Sequence, residues 1–458
     1  MLARITRHTG SVFTSRHAAA GRWLLLLLPI LAVLAGCAGS QPRALDREQL
    51  FSLSIGRAED EIDLFRRQSD PLVQQNHLAM QDGFFYVSNA ASNKVMELTS
   101  YGDLISLWYN RDENPQPVLL QSNPSEGAVV NRRAHQYPFT RVGDIAVTDQ
   151  KELYAVDLVT EERTIFDDNL DVLLNRIVLR FDSSGELVDY IGQEGIGGTP
   201  FPYVERIAVS RGGELVVVAK TADVWLVFWY DARGNHLYTV EISLDRLPVP
   251  RASDVPGTAT GDAPPGGDGG GDASSDAGPP GPAEGTGADR TAAVIPILES
   301  VHPDARDRRI YLKLNYYEES VDAETGTGYG ISTRSSRIYW LDLESGRYEG
   351  FVDIPKNTDT VTEGTIFDRT EVEFMYDFVG TAVGGHLFLL SRESDESTEL
   401  LIMNTEGRVV RRRMLTIEDS LTSYKDFYVS GSGILTAMLG FDDRVDIVWW
   451  RSDRLIGG

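Results

Sequence analysis

Chemistry in a protein needs nucleophiles, acid–base groups or metal ligands at workable spacing, and this sequence offers few. Five histidines lie beyond the first 36 residues: His77, His135, His236, His302 and His386. No two share a metal-ligand spacing and no His-Glu-x-x-His is present, so each reads as a surface or strand residue. Asp167-Asp168-Asn169-Leu170-Asp171 alternates oxygen ligands as a calcium hand loop does. That loop needs Gly at its sixth position and Glu at its twelfth, where Val172 and Val178 stand, so the stretch reads as a solvated turn. Asp442-Asp443-Arg444-Val445-Asp446 reads the same way. Gly195-Ile196-Gly197-Gly198 has the glycines of a nucleotide loop, but Phe201-Pro202 follows instead of a helix. Without the helix N-terminus that holds phosphate, it is a connector. No Gly-x-Ser-x-Gly elbow supplies a nucleophile. What remains is one cysteine and a set of tryptophans, Trp225, Trp229, Trp340, Trp449 and Trp450, in apolar runs that suit packing between strands.

The cysteine, Cys37, can form no disulfide within the chain and no cysteine zinc site. Its surroundings explain it. Residues 1–22 are basic and lack acids, and Trp23 to Ala35 is an apolar run too short to span a bilayer. Such a pattern is a secretory signal. Leu34-Ala35-Gly36-Cys37 resembles the lipobox of bacterial lipoproteins. That resemblance implies cleavage between Gly36 and Cys37 and acylation of the Cys37 thiol, which would give a membrane anchor. Residues 37–49 then form a tether. Many such lipoproteins carry at this next position an Asp that retains them at the inner membrane; Ala38 there favours the outer membrane, with the inner membrane as the alternative, and the body facing the periplasm or exterior.

The 458 residues carry a formal net charge of -25. Arg4, Arg7, Arg16 and Arg22 are the only charges before position 37, which leaves 39 basic against 68 acidic residues in the rest. So acidic a body repels phosphate backbones, which excludes nucleic acid as a partner. The same overall charge argues against electrostatic docking on anionic lipid. A hydrophobic fraction of 42% supports a real core.

The elements that would position any site are strands. Phe84–Val87, Leu153–Val156, Leu215–Ala219, Ile310–Leu314 and Leu387–Leu390 are short and rich in Val, Tyr, Phe and Leu. One turn recurs between strands: Leu98-Thr99-Ser100-Tyr101-Gly102-Asp103, Phe181-Asp182-Ser183-Ser184-Gly185-Glu186, Tyr230-Asp231-Ala232-Arg233-Gly234-Asn235 and Met403-Asn404-Thr405-Glu406-Gly407-Arg408. Leu341-Asp342-Leu343-Glu344-Ser345-Gly346 is a copy one residue longer. Asp or Asn bonds forward to the backbone and Gly takes the positive φ that closes the hairpin. A second motif, Pro138 to Asp157 and again Pro202 to Val218, completes a four-strand unit. Units that cannot bury both faces alone stack around an axis.

These residues resemble the NHL-type propeller repeat, with Tyr86-Val87-Ser88-Asn89 at its central strand pair and the Pro138–Asp157 stretch at its first two strands. More closely, the chain resembles an uncharacterised family of spirochaete lipoproteins with propeller-like bodies. Gly56-Arg57-Ala58-Glu59-Asp60-Glu61-Ile62-Asp63-Leu64-Phe65, Ser100-Tyr101-Gly102-Asp103 and Gln193 to Pro202 carry that likeness. It implies a fold and a location but no chemistry. The expected fold is all-β: a six-bladed, NHL/TolB-like β-propeller of four-stranded antiparallel blades over residues 50–458. The blades fall near 76–130, 138–192, 202–247, 294–354, 371–416 and 422–456. The last lacks an outer strand, which Leu50 to Ile55 would supply and so leave no open edge. Seven blades stay open as an alternative, because 110–137 and 358–372 are unassigned. Residues 252–291, rich in Gly, Pro, Ala and Asp, form a disordered insertion between blades 3 and 4.

The functional expectation is a binding scaffold, held by its lipid anchor, for an envelope protein, peptide or glycan, with no cofactor. The alternative is a calcium-dependent propeller hydrolase of lactones or esters. Resemblance to such enzymes implies calcium ligands at inner-strand positions, here Asn89 and Asp157, which otherwise read as turn or funnel residues.

Overall fold

The computed structural model describes residues 43–64, 76–120, 132–210, 212–250, 294–304, 308–321, 328–362, 369–392, 397–417 and 421–457. Gly36, Cys37, the signal 1–36 and the insertion 252–291 lie outside these residues.

Each blade is an antiparallel meander of strands A to D, counted outward from the axis. Blade 1 is His77–Gln81, Phe84–Asn89, Lys94–Thr99 and Leu104–Tyr109. Blade 2 is Ile145–Val147, Leu153–Leu158, Arg176–Phe181 and Leu187–Gly192, and blade 3 is Tyr203–Val209, Leu215–Lys220, Val224–Tyr230 and His236–Ser243. Blade 4 is Val294–Asp304, Arg309–Val321, Gly328–Asp342 and Arg347–Ile354. Blade 5 is Tyr376–Ala382, His386–Arg392, Ser397–Asn404 and Val409–Thr416. Blade 6 takes strands A to C from Tyr424–Val429, Leu435–Gly440 and Arg444–Trp450, and its strand D from the other end of the chain, Arg47–Ser54. The ring therefore has six blades and is closed by an N-terminal strand. That strand begins at Arg47, three residues ahead of the expected Leu50, and Ala44–Leu45 already pairs in parallel with Met414 and Leu415 of blade 5.

Among the described residues, the unassigned stretches add no seventh blade. Arg133–Gln136 lies parallel to strand D of blade 1, and Asn357–Thr362 pairs with Arg369–Phe374 as a hairpin between blades 4 and 5. The five copies of the glycine turn are the five C–D turns of blades 1 to 5. In each of the four shorter copies the glycine N–H returns to the carbonyl three residues back, as Gly185 to Asp182 at 2.9 Å. Asp182 Oδ1 also accepts the N–H groups of Ser184 and Glu186. There is no sixth copy because blade 6 has no C–D turn: its strands C and D come from opposite chain ends.

Strands such as Val224-Trp225-Leu226-Val227-Phe228-Trp229-Tyr230 are buried at every position. A strand turns alternate side chains to opposite faces, and in this ring both faces meet a neighbouring blade. Phe85 and Val87 pack toward blade 6 with Phe51, Val445 and Ile447, while Tyr86 packs toward blade 2 with Leu153 and Leu179. Six apolar clusters result, one at each blade junction. Trp225 and Trp229 fill the 3–4 junction and Trp450 the 5–6 junction.

Candidate functional site

Asn89 and Asp157 lie at equivalent positions near the end of strand B in adjacent blades, and both are buried. Asn89 Oδ1 accepts the Asp63 N–H at 2.9 Å, while Nδ2 donates to the Asp63 carbonyl at 2.7 Å and to Asn76 Oδ1 at 2.9 Å. An amide is required here, since a carboxylate could not make the two donations. Asp157 Oδ1 accepts the N–H groups of Thr140 at 3.1 Å and Arg141 at 2.7 Å. Burial pushes the Asp157 carboxyl up to about 6, opposed by these backbone bonds and by Arg176. Both side chains thus latch the segment that leads into strand A of their own blade. Among the described residues no three His, Cys, Asp or Glu side chains converge as a metal site requires.

The Asp167–Asp171 stretch is the tip of a hairpin, Ile165–Asp167 with Val172–Leu174, and Asp167 Oδ1 caps the turn through the Asn169 N–H at 2.8 Å. Asp446, at the other acidic stretch, accepts from Ser52 Oγ at 2.6 Å and Gln49 Nε2 at 3.2 Å, which pins the closing strand. Gly195–Ile196 adds a short strand to the rim of blade 2 on the way to blade 3.

The axis holds a cavity of about 680 Å³ lined by the inner strands of all six blades. Polar side chains in it join successive blades. Asp426 of blade 6 accepts the Leu78 N–H of blade 1 at 2.7 Å. His77 Nδ1 of blade 1 lies 3.5 Å from Asp144 Oδ1, just ahead of strand A in blade 2. Asp144 Oδ2 accepts the Ile207 N–H of blade 3 at 2.7 Å. Arg206 of blade 3 donates to His302 Nδ1 of blade 4 at 2.6 Å. A guanidinium only donates, so His302 carries its proton on Nε2. Burial, then the Arg206 charge, hold it well below the usual histidine range. The His302 ring packs 4.4 Å from Phe378 of blade 5. Burial, reinforced by Asp144 and opposed by His77 and Arg206, pushes Asp426 up to about 6.

Sequence reasoning read His77 and His302 as ordinary strand residues and passed over Asp144, Arg206 and Asp426. A signal existed: His77, Asp144, Arg206 and Asp426 each stand immediately before an apolar residue of strand A, namely Leu78, Ile145, Ile207 and Phe427.

The two faces of the ring differ. The A–B and C–D connections share one face and are tight, from Asp82–Gly83 to the five residues 182–186. The B–C and D–A connections share the other and, among the described residues, include 55–64, 110–120, 132–144, 159–175, 244–250, 355–362 and 369–375. On this loop face the blade 2 hairpin presents Phe166 and Leu173, directly paired across the strands and 53% and 54% exposed. Strands B and C of blade 4 run on past the blade here, where Ile295, Ile297 and Ile331 are exposed.

No family model and no curated protein matches the chain. Among solved structures it is similar to the acylaminoacyl peptidase of Pyrococcus horikoshii, with 8% identity over 68% of this chain and 44% of that one, at a TM-score of 0.32. It is also similar to the β-propeller domain of the Trilobed protease from Pyrococcus furiosus, with 10% identity over 68% of this chain and 82% of that one, at a TM-score of 0.28. The chain thus spans less than half the length of the peptidase it matches. The six-bladed propeller assignment rests on the strand pairing itself.

Proposed function

We propose that this chain is an extracytoplasmic lipoprotein, anchored through Cys37 in the cell envelope, whose propeller receives a protein partner on its loop face. The observation that supports this is the asymmetry of the ring. Tight turns on one face are the minimum needed to connect strands, whereas the other face carries two added hairpins and an extended blade. Loops set on a rigid scaffold are where binding residues concentrate. Phe166 and Leu173 present adjoining apolar surface that the fold itself does not use, and such surface favours a protein partner over a glycan.

The test is photo-crosslinking in living cells from position 166, with position 101, on a tight turn of the opposite face, as the comparison. A reproducible envelope protein captured from 166 and not from 101 supports the reading. Capture of the same neighbours from both positions sinks it. Mass spectrometry of the mature N-terminal peptide decides the anchor separately, by the acyl mass on Cys37.

A further inference from the structure

A strongly acidic chain here carries a concentrated basic edge. Strand D of blade 5 reads Val-Val-Arg-Arg-Arg-Met-Leu-Thr, and the turn before it ends in Arg408. Arg408 and Arg411 are exposed, and Arg412 and Arg413 half-buried. Arg412 is paired with Glu399 at 3.1 Å. Arg411 and Arg413 instead donate to main-chain carbonyls, of Val410 and Arg412, both at 2.7 Å. Those contacts hold the side chains without neutralising them. Arg411 and Arg413 pair with Ile402 and Leu400, alternate positions of strand C, and so share one side of the sheet. Glu406 is the acid of the adjoining turn, one negative charge against Arg408, Arg411 and Arg413.

The same strand is where the N-terminal segment joins the propeller, at Ala44 beside Met414. Ala44 follows Cys37 by seven residues in sequence. At about 3.3–3.6 Å per residue, that length of chain reaches no more than about 25 Å. A body acylated at Cys37 therefore keeps the rim of blade 5 near the lipid surface.

We propose that the basic rim of blade 5 docks on anionic phospholipid headgroups, seating the propeller on its edge with the loop face clear of lipid. This rests on the anchoring at Cys37. The overall charge of the chain does not prevent it. Exposed charges are screened over about 8 Å at physiological salt, so the arginines at the surface outweigh carboxylates elsewhere on the molecule. A basic patch beside an acyl chain is also the two-signal arrangement that gives stable membrane attachment.

The experiment uses the mature acylated protein in lipid nanodiscs containing phosphatidylglycerol, or phosphatidylcholine alone. Arginine-specific dicarbonyl labelling is followed by peptide mass spectrometry. On the anionic discs, labelling of Arg408, Arg411 and Arg413 should slow about 5-fold, the scale expected for a basic side chain held at an anionic surface. High salt should restore the rate, and Arg233, exposed in the blade 3 turn, should label equally on both discs. In the double variant R411Q/R413Q, Arg408 should lose its dependence on lipid. Equal rates on the two discs, or slowing that Arg233 shares, overturns the proposal. A protein with no acyl mass at Cys37 removes the anchoring reading alone, and the same labelling with added phosphatidylglycerol vesicles then decides the rim.

Discussion

Asp157 can be tested as a latch by two substitutions. Asp157→Ala leaves the Thr140 and Arg141 N–H groups without their acceptor. At about 1–3 kcal/mol for each unpaired donor, the loss should be roughly 2–6 kcal/mol. Asp157→Asn keeps the Oδ1 carbonyl for both N–H groups but turns an amide toward the Thr140 N–H, which lies 3.2 Å from Oδ2, so about 1–2 kcal/mol is expected. The pH dependence gives a sharper readout. The folded carboxyl sits at about 6 against the 3.8 of an ordinary aspartate, so the folded state holds the extra proton between these values. The group's contribution is then fully present below about pH 4 and disappears as pH rises through 6, and stability from this residue falls on going from pH 4 to 7. Two pKa units correspond to about 3 kcal/mol at most. Urea unfolding of wild type and D157N across that range should show the variant lacking this slope. Asp426, shifted the same way, should keep its own share in both proteins. A D157N protein as stable and as pH-responsive as wild type would refute the latch. So would calcium that raises the melting temperature of wild type and not of the variant, which would make Asp157 a ligand.

Further outcomes follow from the same geometry. Asn89→Asp should destabilise by about 1–3 kcal/mol, because two donations become impossible and a carboxylate faces the Asp63 carbonyl, as thermal unfolding would show. Phe51→Ala removes the ring that packs edge-on against Phe85 at 5.7 Å and should cost about 3–5 kcal/mol, read as a lower urea midpoint. Gly102→Ala attacks the same contact, since φ is +85° and the new Cβ would lie 2.9 Å from Phe51 Cβ; a lowered melting temperature is expected. Leu173→Asp should leave melting unchanged and abolish partner capture from position 166, because its side chain is exposed in the folded protein.

The repeat was legible because it is written in turn chemistry. Asp182 and Asp231 each bond forward at fixed offsets, and the glycine follows at a fixed distance, so the C–D turns align without reference to the strands. Closure was legible from the missing outer strand of blade 6. The start of the closing strand was misjudged by three residues because Arg47, Glu48 and Gln49 are polar: they lie at the rim, where a strand needs no apolar side chains to pair. The channel was hidden for a different reason. Five of the six blades contribute one polar residue each, of differing type, and only the ring brings His77, Asp144, Arg206, His302 and Asp426 together. The loop face was equally invisible, because which connections share a face depends on the meander and not on their composition. The Asp167–Asp171 turn shows this: its composition indicated a turn, but not that Phe166 and Leu173 flank it in adjoining, exposed positions.

The strand that closes the ring is made first and used last. Arg47–Ser54 pairs with Arg444–Trp450, almost four hundred residues away. A chain that emerges from its N-terminus presents this segment long before its partner exists, with Phe51 and Leu53 lacking the surfaces that later bury them. Blades 1 to 5 can form in order as they appear, since their pairings are local. The last junction must wait for the C-terminal strands and then close a loop spanning the whole propeller. Contacts of such sequence separation are slow to form, and an unpaired apolar strand invites association with other chains in the interval. Truncation by even one strand at the C-terminus would therefore leave two open edges rather than one, at opposite ends of the sequence but on the same blade.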